Sequence, residues 1–220
     1  MKTLLITGFL ALTFMHRLPA AAGEAVVTPF RAESLAAWAG LPEPLQRILT
    51  TAAALTSKNL TYTYGSADPS KGGLDCSGTV FHTLNTAGIT GVPRSSDAMY
   101  SWVEKSGRLT PVTGTPAITD PVFASLRPGD LLFWSGTYEA GKRENPVTHV
   151  MVYLGLDTSG RPLMFGASDG RPCGGKKMCG VSLFDFKMPA AGGKARFAGY
   201  GPVPGLDISK VAPAPPAAGK

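Results

Sequence analysis

The chain has 220 residues, enough for one domain with segments to spare at its ends. A hydrophobic share of 44% against a charged share of 16% fits a globular protein, and no internal apolar run is long enough to cross a bilayer. The net charge of +6 comes from scattered lysines and arginines without interleaved aromatics, which argues against a nucleic-acid partner and leaves room for an acidic polymer.

Residues 1–22 read as a secretory signal: Lys2 supplies a positive start, Leu4 to Met15 is almost continuously apolar, and Ala20-Ala21-Ala22 offers a small-residue cleavage site. His16 and Arg17 interrupt that order and leave an uncleaved anchor as the alternative. In both cases the body is expected outside the cytoplasm, in the periplasm or cell envelope; with the signal cleaved, no stable membrane span is expected to remain.

Residues 23–41 form a mixed lead-in, and the domain proper is expected over 42–201. Pro42-Glu43-Pro44 resembles a helix start, followed by Leu45, Ile48, Leu49, Ala52 and Leu55 on one face. Leu60 to Tyr64 is short and aromatic, and the polar, glycine-rich stretch from Gly65 to Gly73 delivers Asp75-Cys76-Ser77. Val80, Phe81, Leu84 and Ala87 then recur at helical spacing and stop at Gly88, which puts Cys76 at or near a helix N-terminus. A further helix is expected from Ser95 or Ser96 to Ser106.

The second half changes period. Asp130 to Trp134, His149 to Leu154, Leu163 to Ala167, Val181 to Phe186 and Ala195 to Tyr200 read as strands between Gly, Pro and polar turns. Helices first and about five strands second make an α+β domain. Residues 202–220, rich in Pro, Ala and Gly, are expected to be a flexible tail.

Three cysteines in an oxidising compartment leave one unpaired after a single bridge, and the turn-forming CGGKKMC suits a loop clip between Cys173 and Cys179. Cys76 is then the odd thiol. A helix N-terminus favours the thiolate and points free N–H groups toward an oxyanion. Gly78 is expected to let substrate approach closely. Of the three histidines, His16 lies in the signal and His82 on the same helix as Cys76, which leaves His149, at a strand start after the long loop 136–148, as the base. The plain alternatives are a buried hydrophobe for Cys76 and a strand cap for His149.

Tyr64-Gly65, Leu74-Asp75-Cys76-Ser77-Gly78, Val92-Pro93-Arg94-Ser95-Ser96, Arg127-Pro128-Gly129-Asp130-Leu131-Leu132-Phe133-Trp134 and His149-Val150-Met151-Val152-Tyr153-Leu154-Gly155 resemble, in order, the blocks of the NlpC-type cell-wall peptidases. The resemblance runs from about Leu45 to Tyr200 and implies a papain-like fold, with the nucleophile's helix packed on an antiparallel sheet. It also implies hydrolysis of peptidoglycan stem peptides, commonly between D-glutamate and diaminopimelate, through a Cys76 thioester with His149 moving the proton. By position it makes Tyr64 the tyrosine beside the oxyanion and Asp75 and Ser77 holders of the peptide's free amine, and it carries Arg94 over as a further substrate-binding residue. The bland readings are a core aromatic for Tyr64 and helix capping for Asp75 and Ser77.

The family's third, histidine-orienting residue falls here on Gly166. Strand parity offers Ser168 in its place, with Asp169 as the alternative from the following turn. A catalytically weak peptidoglycan-binding domain and a Cys/His acyltransferase or amidase are the competing functions. No metal site and no cofactor are expected, and the protein is expected to be a monomer.

Overall fold

Residues 24–209 and 211–213 are described by the structure, a computed structural model, and the expected secretory segment 1–22 lies outside them. Helix α1 (Glu43–Thr56) starts after an extended Pro42, with Pro44 in the first turn, where no N–H is needed. Its stripe of Leu45, Ile48, Leu49, Ala52 and Leu55 is buried. At roughly 1.5–3 kcal/mol for each large aliphatic side chain, this stripe outweighs helix propensity as the reason α1 holds.

A short parallel pair, β1 (Thr61–Tyr62) and β2 (Gly73–Leu74), then leads into α2 (Cys76–Thr86). The N-terminus of α2 is capped by Asp75, whose carboxylate accepts from the Gly78 N–H. Helix α3 (Ser96–Lys105) is capped in the same way by Ser95, which accepts from Ala98.

The remaining strands are β3 (Thr110–Pro111), β4 (Leu131–Ser135), β5 (Val147–Leu156), β6 (Pro162–Ser168), β7 (Pro172–Cys173), β8 (Lys176–Lys177), β9 (Gly180–Asp185) and β10 (Arg196–Gly201). Six of them form one antiparallel sheet in the order β3-β10-β4-β5-β6-β9, and β7 and β8 make a separate hairpin. The class is α+β, helices before sheet. The sheet exceeds the expected five strands by β3, a two-residue edge too short to show a period. Helices α2 and α3 lie against β5, so the sheet's central strand is the floor beneath the cysteine.

Cys173 and Cys179 are free thiols, contrary to the expected loop clip. The backbone of Cys179 pairs instead with Val26, each N–H meeting the other's carbonyl at 2.8 Å. At the far end, Val203, Leu206, Ile208 and Val211 are buried, and Arg127 Nε donates to the Val211 carbonyl at 2.8 Å. The packed body thus runs past Gly201, into the stretch read from composition as tail. Among the described residues no helix is long and apolar enough to cross a membrane.

Candidate active site

Cys76 is the first residue of α2, and its sulfur meets backbone N–H groups of Val150, Ser77 and Cys76 itself, which favour the thiolate. The Val150 contact is the informative one. Val150 follows His149 in β5, and the cross-strand partners of β5 and β6 run from Val152–Phe165 outward. The start of β5 therefore offers its N–H to the cysteine, and the chain that carries His149 is docked on the helix end that carries Cys76.

The two side chains line adjoining hollows that share Tyr62, Tyr64 and Tyr138. Cys76 faces the hollow that also contains Asp75, Ser77 and Arg94. His149 faces the other, with Ser168, Asp169 and Arg171.

Burial outweighs the helix-end donors at Cys76: together with the neighbouring Asp75 charge it pushes the thiol up to about 11. The activation expected from the helix terminus alone is thus overridden. His149 is held well below its ordinary value, first by burial and then by the Arg171 charge, so its imidazole is neutral. The resting pair is thiol and imidazole, and a proton must pass between them when the sulfur attacks.

Neither nitrogen of His149 makes a hydrogen bond among the described residues, and Nε2 is fully buried without a partner. Its ring stands edge-on to Trp134 at 5.7 Å. Gly166 offers no side chain, and a Cβ there would stand 2.8 Å from Met151 Cγ, so Met151 fills the orienter's place. Ser168 lies three residues beyond the last β5–β6 pair, Val152–Phe165, and lines the same hollow as His149. Ser168 is buried, and its hydroxyl has no hydrogen-bond partner among the described residues; Asp169 is exposed at the rim.

Asp75 is saturated. Its carboxylate accepts from the Gly65 and Gly78 N–H groups and from Ser77 Oγ at 3.2 Å. Arg94 adds two parallel bonds, Nη1 to Oδ1 at 3.1 Å and Nη2 to Oδ2 at 2.9 Å, and also reaches Ser77 Oγ and the Gly65 carbonyl. Asp75, Ser77 and Arg94 thus form one clamp that ties the 65–66 loop, the α2 start and the α3 approach together. Gly78 belongs to the same construction: a Cβ there would stand 2.0 Å from the Ser66 carbonyl oxygen. Close approach by the chain itself, not by substrate, explains that glycine.

Tyr64 is 71% exposed and meets Tyr138 edge-on at 5.9 Å, which rules out a core aromatic. Tyr138 comes from loop 136–146 and accepts from Arg143 Nη2 at 2.5 Å, while Arg143 pairs with Asp97 of α3. The residue overlooked in the sequence is Tyr62. Its partner across β1 and β2 is Leu74, two residues before the cysteine, and its hydroxyl is raised first by burial and then by the charges at Cys76 and Asp75. Tyr62 and Tyr64 share one strand parity, so sequence spacing does not separate them. Among the described residues no group of three or more His, Cys, Asp and Glu is arranged to hold a metal ion.

No curated protein matches this chain. Among solved structures it is similar to a Staphylococcus aureus subsp. aureus Mu50 protein described as similar to a lipoprotein of the NLP/P60 family, with 23% identity and a TM-score of 0.44. The alignment covers 72% of this chain, which spans 38% of the length of that one. The sequence model of the NlpC/P60 family matches residues 59–172, a stretch that includes the clamp, the cysteine, the histidine and Arg171 and exceeds half of the chain. The chain belongs to the NlpC/P60 family.

Proposed function

We propose that this protein is an exported cysteine peptidase that hydrolyses peptidoglycan stem peptides at a D-glutamyl-diaminopimelate type bond. NlpC/P60 membership implies a cell-wall peptidase-like function; the bond, the thioester and the export are the proposal. The observation that carries it is the meeting of the His149–Val150 strand start with the Cys76 sulfur at a helix N-terminus.

The Cys76 sulfur attacks the carbonyl carbon as its proton passes to His149, and the oxygen gains charge near the N–H groups at the α2 start. Tyr62 is proposed as a side-chain donor to that oxygen, in the role sequence reasoning gave to Tyr64. The C–N bond breaks, His149 returns the proton to the leaving amine, and water activated by His149 then hydrolyses the thioester. Ser168 is the proposed third residue, supported by the hollow it shares with His149. The peptide's amine end is assigned to the hollow of Asp75, Ser77 and Arg94, where an ammonium competes with Arg94 for the carboxylate. Export rests on the composition of residues 1–22.

Rapid-quench intact-mass measurement with a stem peptide tests this directly. The expected result is a transient acyl adduct on Cys76. Product formation with an adduct elsewhere sinks the assignment.

A catalytically weak peptidoglycan-binding domain is the second reading, favoured by the raised Cys76 thiol and the missing side chain at Gly166. Wall binding with no turnover by the wild type is its signature.

A further inference from the structure

Arg171 is a charged group in the cleft that the chemistry above does not employ. It shares with His149 a hollow of about 280 Å³. Its guanidinium carbon stands 4.3 Å from the centre of the Trp134 ring. Among the described residues its side chain makes no hydrogen bond and no ion pair. Asp169 lines the same hollow without pairing with it, and Asp75 in the adjoining hollow is held by Arg94.

Arg171 is half-buried, so its guanidinium donors, which meet no acceptor among the described residues, remain open to an anion entering the hollow. Burial draws Arg171 down to about 10, with the Cys76 sulfur acting in the opposite sense. The Trp134 ring holds the cation through its π face, a contact that fixes the fork without using any N–H donor. The fork is thus preorganised and open, the condition under which arginine reads a carboxylate with two parallel bonds.

We propose that Arg171 binds a carboxylate on the substrate residue that departs with the amine, which makes this hollow the leaving-side specificity subsite. His149 sets the side. The imidazole hands its proton to the leaving nitrogen, so the residue borne on that nitrogen enters the hollow that His149 shares with Arg171. The Asp75–Arg94 clamp across the cleft is already neutralised and does not compete for this anion. The direction of the substrate rests on the peptidase reading; the recognition of a carboxylate does not.

The test compares an L-alanyl-γ-D-glutamyl-diaminopimelate peptide with the same peptide amidated at its diaminopimelate carboxylates. The wild type is expected to favour the acid on the order of 10- to 100-fold in kcat/KM, and Arg171→Gln to bring that ratio near one. An unchanged ratio in Arg171→Gln overturns the assignment. Should that variant fail to fold, Arg171→Lys decides, with an intermediate ratio expected and an unchanged one overturning the subsite. Equal losses on both peptides, with slower alkylation of Cys76, also overturn it and give Arg171 to the thiolate instead. Calorimetry on Cys76→Ala separates the two readings. Affinity for the acid peptide that is lost in Cys76→Ala/Arg171→Gln upholds the subsite even when the wild type cleaves nothing, an outcome that sinks the peptidase reading alone. Cleavage without preference for the acid sinks the subsite alone.

Discussion

Met151 occupies the space beside Gly166: a Cβ at 166 would stand 2.8 Å from its Cγ and 3.4 Å from its Cβ. A side chain at the orienter's position would thus meet Met151, and the Nε2 of His149 is buried without a partner. Gly166→His alone is predicted to overpack and to cost about 1–3 kcal/mol in urea unfolding. In a Met151→Ala background the same change has room. There it is predicted to raise kcat/KM on the order of tenfold above Met151→Ala, because a held tautomer and ring plane serve proton transfer.

The Cys76 thiol, raised to about 11 by burial, is predicted to react slowly with iodoacetamide at neutral pH. The rate should climb about tenfold per pH unit towards pH 11, since only the thiolate reacts. A plateau at or below pH 7 contradicts the buried-thiol picture.

His149 titrates well below its ordinary value. The base is then already neutral at pH 6, and kcat/KM is predicted to stay flat from pH 6 to 8 and to fall only at lower pH. The same depression links to folding. Its contribution is present above the unfolded value of about 6.5 and is lost as pH falls below it, because the unfolded chain takes up a proton that the folded one refuses.

Asp130 runs the other way. Burial, only partly opposed by the Arg127 N–H, lifts its carboxyl to about 7 and leaves Oδ1 without a partner. Stability tied to its protonated form is present below the unfolded value of about 3.9 and is lost as pH rises to about 7, a loss on the order of 2–4 kcal/mol. Urea titrations of wild type and Asp130→Asn from pH 4 to 8 are predicted to differ most at the alkaline end, where the variant escapes that loss. Parallel curves contradict this.

Arg94 forks Asp75 at 2.9 and 3.1 Å with the pair partly open to solvent. Arg94→Lys replaces a planar fork by a point charge and is predicted to cost about 1 kcal/mol, with a larger loss of kcat/KM as the α2 start loosens. Unaltered stability and activity argue that Gly65, Ser77 and Gly78 hold Asp75 unaided.

The helices were legible because their signals are local: the Leu45 to Leu55 stripe, the caps at Asp75 and Ser95, and the punctuation around them. The strands of the second half were legible by their length and bounding turns. What escaped depends on distant neighbours. Arg171 comes to Trp134 only through the sheet, and Val26 reaches Cys179 across most of the chain. Val203, Leu206, Ile208 and Val211 sit in a Pro- and Ala-rich stretch whose composition hides that each finds a buried seat. The chemistry of Cys76 escaped for the same reason: sequence shows the helix start that lowers a thiol, while only the packed structure shows the burial that raises it further.

Digestion of purified peptidoglycan by wild type, Cys76→Ala and His149→Ala, with released fragments identified by mass spectrometry, tests the central claim most directly. The expected result is new D-glutamyl and diaminopimelyl ends from the wild type, with release reduced by about 10³-fold or more in both variants. Equal release by Cys76→Ala, or none by a wild type that still binds the wall, contradicts a cysteine peptidase.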